Sequence, residues 1–495
     1  MTTAKFVQGS IMRHILVMSS TAAIGISALF VVDLIDIFFL SLLGEQELAA
    51  AVGYAGTISF FTTSIGIGLS IALGALVSRA VGAKEFELAK RLLLNSAVVT
   101  VLVASVVAII VTCFIPELLT LVGATGRTGE LAAGYLYILV PSMPIICLAM
   151  ALGAALRAVG DAKLSMVSTL TGGGVNLVFD PIFIFLLAMG IEGAALASVL
   201  ARLAVLLVAA RGVVVKHKLF GRFDLTAFKE DIKPIFAIAG PAMMTNIATP
   251  IGNAVVTRAI AEFGDSYVAA WAVLGRLTPV AFGMIFALSG AIGPIVGQNF
   301  GAREFARVRQ SLTKALQFCA LYVVTVSLLL MLLQEQIVAL FAMQGESAEL
   351  IRFFCRYIAV FFVFSGALFV ANASFNNLGK AKYSTLFNVG KATLGTIPFV
   401  YYGGQLGGVE GVLIGQVLGA ILFGVLGVLT AYRLVDKVQA SAVPAVSQEV
   451  LDEELSPSSP NPLSSSCAQM AQLSEEQDCE ESNRVSELVT GPGRD

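Results

Sequence analysis

Charge is scarce in this 495-residue chain: 13% of its residues are Asp, Glu, Lys or Arg, 57% are hydrophobic, and the mean hydropathy is +0.87. Ordinary soluble domains carry about 25% charged residues, so a soluble enzyme is excluded. Histidine is scarcer still. His14 and His217 are the only two, and Cys113, Cys147, Cys319, Cys355, Cys467 and Cys479 form no C-x-x-C pair, so neither zinc site, structural disulfide nor His-based acid–base pair is expected. No G-x-x-x-x-G-K-[ST] loop is present, which removes ATP hydrolysis as an energy source. The first apolar run lacks the short core and small-residue cleavage site of a signal peptide and is expected to stay as a helix. No cofactor and no nucleic-acid partner are implied.

What the chain has in abundance is apolar runs of about 20 residues, each able to cross roughly 30 Å of hydrocarbon as a helix. They fall near 14–43, 48–76, 92–115, 129–155, 163–188, 192–213, 234–261, 266–296, 312–341, 349–376, 382–403 and 408–433. The expected fold is an all-α polytopic membrane protein with twelve transmembrane helices in the lipid bilayer. Basic residues crowd alternate connections, from Lys5 and Arg13 through Arg79, Lys90 and Arg91 to Lys380, Lys382, Arg433 and Lys437. The opposite connections hold only Arg127, Arg352 and Arg356. Positive loops stay inside, so both termini are expected in the cytoplasm, at the inner (plasma) membrane.

The two halves repeat. SRAVGAKEFELAKR (78–91) matches GQNFGAREFARVRQ (297–310), and RAVGDAK (157–163) matches NNLGKAK (376–382) at the identical offset; GIEG (190–193) and GVEG (408–411) agree within one residue. With six spans each, the halves enter the membrane with equal orientation, which predicts two six-helix bundles related by a pseudo-two-fold axis along the membrane normal. The division expected is an N-terminal lobe over 1–213, a basic cytoplasmic linker over 214–233, a C-terminal lobe over 234–437 and an acidic tail over 438–495. That tail, rich in Ser, Pro, Glu and Gln, has too little apolar surface to offset its ordering entropy and is expected to be disordered.

Charges at bilayer depth cost several kcal/mol unless they face a polar cavity or a partner, so the few present are the functional candidates. Asp33 and Asp36 share roughly one face of the first helix. Two acids that close rarely both ionise in a low dielectric, and one of them is expected to hold a proton near neutral pH. Asp180, in TGGGVNLVFDPIF (171–183), stands one turn after Asn176 and just before Pro181. Pro181 leaves the Leu177 carbonyl without its helical donor, and Gly172, Gly173 and Gly174 permit a hinge earlier on. An acid beside an amide and a freed carbonyl suits a proton, water or small cation. Among the bases, Arg202 is open to pairing across helices or snorkelling outward, Arg258 is expected to pair with Glu262, and Lys391, near Asn388, and Arg276 are candidates to line a cavity in the second half.

These motifs resemble those of the multidrug and toxic compound extrusion (MATE) transporters. LIDIFFLSLLGEQELAA (34–50) is similar to that family's first-helix signature, LRAVGDAK (156–163) and NLVFDPIFIF (176–185) followed by GIEGAALAS (190–198) to its fourth-to-sixth-helix signatures, and GQNFGARE (297–304) to its second-half loop motif. The pattern is that of the DinF-like branch, with its acids in the N-terminal lobe. The resemblance implies a monomer that alternates between outward-open and inward-open states and exports amphipathic or cationic small molecules against protons or sodium. It implies that Asp36 is the first-helix coupling acid, that Asn176 and Asp180 are the fifth-helix polar pair, and that Ser198 and Tyr135 complete the cluster, which is also where sodium would sit. Two departures stand out: Thr249 lies where other branches place a seventh-helix acid, and Thr21 and Ala22 lie where a first-helix proline is usual. The rival readings are a flippase for lipid-linked sugars, which calls for a large cationic cavity, and a channel or receptor.

Overall fold

Hydrocarbon offers backbone N–H and C=O groups no water, so a spanning segment satisfies them internally, as a helix. The computed structural model describes residues 4–43 and 46–442, and every regular element among them is helical. In the first half α1 (Ile11–Ser41), α2 (Gln46–Gly82) and α3 (Phe86–Cys113) are single long helices, and α4 (Ile115–Leu121) is a short turn-back. The fourth span joins α5 (Gly126–Leu139) to α6 (Met143–Ala158) through a 3-10 turn, Val140–Ser142, where Pro141 has no N–H to donate. The next two spans, α7 (Ala162–Pro181) and α8 (Gly190–Arg211), each run on into a π-helical turn, Ile182–Leu186 and Gly212–Lys216. The second half comprises α9 (Leu225–Ala261), α10 (Asp265–Ala281), α11 (Gly283–Gly301), α12 (Phe305–Leu332), α13 (Gln334–Leu340), α14 (Gly345–Phe353), α15 (Phe362–Asn377), α16 (Lys382–Ala392) and α17 (Ile397–Ala442).

Among the described residues, eleven helical runs are long and apolar enough to cross a membrane. The last, Lys382–Ser441, holds two spans, because α17 leaves helical geometry at Gly407 and Gly408, the latter with φ 58. The arms then run back along each other so closely that a side chain on Gly415 would overlap the Phe399 carbonyl and one on Gly419 the Gly395 carbonyl. The spans therefore number twelve, as expected. The chain forms one compact unit over Met1–Asp436. Of the unit that starts at Lys437, residues up to 442 continue α17, and the rest of the acidic tail lies outside the described residues.

The sequence repeat is reproduced in the fold. α3 and α12, α4 and α13, and α6 and α15 begin and end at equivalent positions of the halves. Equivalent residues Lys84 and Arg303 both take a left-handed φ, 63 and 61. Arg157 Nη1 donates to Ser165 Oγ at 2.9 Å, and at the equivalent place Ser384 Oγ donates to Asn376 Oδ1 at 3.0 Å. The two six-helix bundles meet where α2 crosses α11. A methyl on Gly82 would stand 2.6 Å from Gln298 Cα, and one on Gly301 2.9 Å from the Arg79 carbonyl carbon. Gly82 corresponds to Gly301 and Arg79 to Gln298, so each half presents the same pair to the other, as a two-fold contact requires.

The same end of the molecule, where the basic loops gather, is tied by polar contacts. Ser78 Oγ donates to Asn377 Oδ1 at 3.3 Å and Arg79 Nη2 to the Asn376 carbonyl at 2.7 Å. Residues 5–7 form a 3-10 turn whose Phe6 is buried. The Phe6 N–H donates to Gln298 Oε1 (2.9 Å), and its carbonyl accepts from Asn299 Nδ2 (3.2 Å) and Arg307 Nη2 (3.1 Å). Gln298 Nε2 in turn donates to the Ala158 carbonyl at 2.7 Å. The N-terminal segment is thus a strap between the halves, where the sequence reads only as a polar lead-in. Another tie joins α3 to α9: buried Asp231 accepts from Arg91 Nη2 at 3.1 Å and Asn95 Nδ2 at 2.7 Å. α9 starts nine residues ahead of its apolar run because Asp224 caps it, accepting from the Thr226 N–H at 3.0 Å.

Candidate transport site

The first-half acids are brought together by the way α1 and α7 pack. Gly25 of α1 lies against Thr169 of α7, and Val32 lies against Gly173, so the two helices run in the same direction. Asp36, one turn past Val32, therefore comes level with Asn176 and Asp180, roughly one and two turns past Gly173. Asp180 is 0% exposed, Asn176 is buried and Asp36 is half-buried. From α5 and α8 come Tyr135 and Ser198, whose hydroxyls lie within interacting range of each other. Asp36, Asp180 and Arg202 all lie within electrostatic reach of the Tyr135 hydroxyl. Asp36, Asp180 and Ser198 of the expected cluster thus lie around Tyr135, with Asn176 one turn from Asp180 on α7. The side chain of Asp33 lies outside the described residues.

Asp180 is chemically exposed to its surroundings in an unusual way. Neither of its carboxyl oxygens, nor the Asn176 amide nitrogen one turn away, finds a hydrogen-bond partner among the described residues. No ion pair among the described residues joins Asp180 to a base. Immediately beyond it the helix stops being α: Pro181 ends α7 and the wider π turn follows, a form that recurs at functional sites. The glycine triplet acts differently from a hinge in this conformation. α7 stays regular through Gly172, Gly173 and Gly174, and the missing side chains admit Val205 of α8 and Val32 of α1.

Arg202 is the residue that sequence reasoning left unassigned. Its Nη1 donates to the Leu139 carbonyl at 3.0 Å and to Ser142 Oγ at 2.8 Å. It thereby adds a second side-chain donor to the Leu139 carbonyl, which also accepts from Ser142 Oγ at 2.7 Å, at the 3-10 break in the fourth span. Its position one turn after Ser198 was the available signal. In the second half Lys391 of α16 is half-buried and donates to Ser365 Oγ of α15 at 3.1 Å, while Asn388 is buried and donates to the Ser384 carbonyl at 2.7 Å. Arg276 is exposed on α10, which packs on α9, α11 and α14, whereas α16 packs on α9 and α15. The expected Arg258–Glu262 pair does not form: both side chains are exposed and no ion pair joins them.

Twelve spans in two repeated bundles, with buried acids gathered inside one of them, define a membrane transporter. The chain belongs to the MatE family, whose model matches it twice, over residues 22–182 and 241–402. Among relatives, it is 26% identical over 436 residues to the FAD transporter of Shewanella oneidensis, covering 87% of this chain and 96% of that protein. It is 22% identical over 442 residues to the multidrug export protein MepA of Staphylococcus aureus, with the same coverage, 87% and 96%. Its fold is that of the Vibrio cholerae MATE transporter VcmN, with a TM-score of 0.81, 24% identity, and coverage of 88% of this chain and 98% of that one.

Proposed function

We propose that this chain is a secondary active antiporter that exports amphipathic or cationic compounds in exchange for protons, with sodium as the alternative driving ion. The observation that carries the reading is Asp180, fully buried, without a hydrogen-bond partner among the described residues and grouped with Asn176, Tyr135, Ser198 and Asp36. A carboxylate so placed binds one cation at a time. Protonation from outside removes its charge and weakens its hold on a cationic substrate; loss of the proton to the cytoplasm restores that hold. The working parts are the N-terminal lobe over 1–213 and the C-terminal lobe over 234–437, joined by the cytoplasmic linker 214–233, in the inner membrane with both termini inside. Multidrug export by MepA supports the reading.

The test is transport in proteoliposomes with ethidium as probe and with proton and sodium gradients imposed separately. Asp180→Asn is expected to abolish gradient-driven ethidium exchange while the protein stays folded and membrane-inserted. Exchange by that variant at the wild-type rate would refute the reading. A second reading, export of an anionic dinucleotide, is favoured by Lys391 in the second half and by the FAD transporter relative; competition of FAD with ethidium, lost in Lys391→Ala, distinguishes it. The flippase reading has less behind it, because Arg202 is engaged at the fourth-span break.

A further inference from the structure

A cavity of about 430 Å³ lies in the first half at the end away from the basic loops, lined among others by Leu43, Arg127, Leu131, Ile184, Phe185 and Glu192. Its walls come from the same elements that carry the acidic cluster. Leu43 follows Asp36 by seven residues, Ile184 follows Asp180 by four, Leu131 precedes Tyr135 by four and Glu192 precedes Ser198 by six. The cavity is therefore stacked directly outboard of the cluster, within one bundle rather than between the two.

Its residues are graded from wet to dry. Glu192 and Arg127 are exposed, at the mouth, whereas Ile184 is 1% exposed and belongs both to the cavity wall and to the apolar core beneath. Glu192 reaches inward: its Oε1 lies 3.4 Å from where a side chain on Gly134 would begin, and Gly134 is the neighbour of Tyr135. The elements packed on α8 carry Arg127 and Glu130 on α5, Arg157 on α6, Lys163 and Asp180 on α7, and Arg13 and Asp36 on α1. Among the described residues, Arg127 alone of these shares the cavity lining with Glu192, and Arg127 is itself paired with Glu130 at 3.6 Å. Ile184 sits at the centre of the π turn Ile182–Leu186, one turn beyond Asp180. A π turn that relaxes to α shifts its side chains by one register position.

We propose that this cavity is the outer entry chamber for the coupling proton, with Glu192 as its collecting carboxylate and Ile184 as the apolar gate above Asp180; the proposal rests on the antiport reading. Glu192 takes a proton from the outer solution. When Ile184 swings aside with the π turn, water bridges the two carboxyl groups. The Glu192 O–H bond then breaks as an O–H bond forms on Asp180, and Glu192 returns to its charged form.

The test uses the full chain in proteoliposomes loaded with a pH-sensitive dye, with ethidium as exchange probe. Glu192→Gln is expected to slow proton-driven exchange roughly tenfold, the low end of the rate gain from a charged cleft, and a higher outer proton concentration is expected to restore it. Leu131→Trp, which fills the chamber without touching a charge, is expected to slow exchange at every outer pH. Ile184→Ala is expected to leak protons without ethidium. Unchanged exchange in both Glu192→Gln and Leu131→Trp, with Asp180→Asn inactive, overturns the chamber and leaves the antiport reading standing. Wild-type exchange by Asp180→Asn overturns the antiport reading and the chamber with it.

Discussion

Adding one methyl group at the crossing of α2 and α11 should push the two halves apart. On Gly301 that methyl would stand 2.9 Å from the Arg79 carbonyl carbon of α2 and 3.0 Å from the nitrogen of Ala83, the residue just after it, both backbone atoms that no rotamer change can move. Overpacking of this kind costs about 1–3 kcal/mol. On the proposed alternation of the two lobes, the cost in Gly301→Ala falls on the state in which the basic-loop end is closed, so the equilibrium should move roughly 5- to 150-fold toward opening at that end. Gly82→Ala, the equivalent change in the other half, should act in the same direction. Gly290→Ala, on α11 where a methyl meets nothing within 4 Å, is the control. Spin labels at the exposed Glu85 and Glu304, with Cys113, Cys467 and Cys479 replaced by serine, report the separation of the two loops. A distance distribution in Gly301→Ala identical to that of the control would refute the argument.

Two further outcomes follow from the ties at this end. Phe6→Ala removes the buried anchor of the strap and is expected to cost about 3 kcal/mol, with cleavage before Ile11 by added protease as the readout; undiminished protection would show that the backbone hydrogen bonds suffice. Asp161 caps α7, accepting from the Leu164 N–H at 3.3 Å, and meets Lys216 at 2.7 Å and His217 at 2.8 Å. Burial works against its charge, but these hydrogen bonds prevail and hold the carboxyl below its ordinary 3.8. A lowered folded value means the stabilisation is present above 3.8 and fades as pH falls through the lowered value. Asp161→Asn, which keeps a capping oxygen but loses the charge that meets Lys216 and His217, should therefore melt earlier than wild type by at most about 1 kcal/mol, the upper worth of an exposed ion pair, with the gap in Tm constant above 3.8 and closing below it. A gap that widens in acid would contradict this.

The spans were legible because lipid imposes one requirement on every crossing segment, and runs such as 101–114 satisfy it without ambiguity. The repeat was legible because motif pairs sit at one offset, and the helix bounds keep to it. Asp36, Asn176 and Asp180 stood out because acids and amides are rare at that depth, and α1–α7 packing brings their positions level. What the sequence conceals depends on contacts between distant segments. Nothing in KFVQG (5–9) announces that Phe6 will be enclosed by Gln298, Asn299 and Arg307. The spacing from Ser198 marks Arg202, but nothing near it reveals that its partners are the Leu139 carbonyl and the Ser142 hydroxyl. Asp231 looked like part of a solvated linker, yet Arg91 and Asn95 receive it in the interior.

The crossing of Gly82 and Arg79 with Gln298 and Gly301 is one surface patch used twice, each copy fitting against the other. Such a patch is complete in a single bundle before any second one exists. A lone six-span chain would hold both sides of the joint on one stretch of sequence, and two identical molecules could clasp head to head through it. Fusion into one polypeptide then frees the copies to diverge so long as the backbone contact at that clasp is kept, as it is between Arg79 and Gln298, and the acids of the first half have no counterparts in the second, where Val255 and Phe399 stand instead.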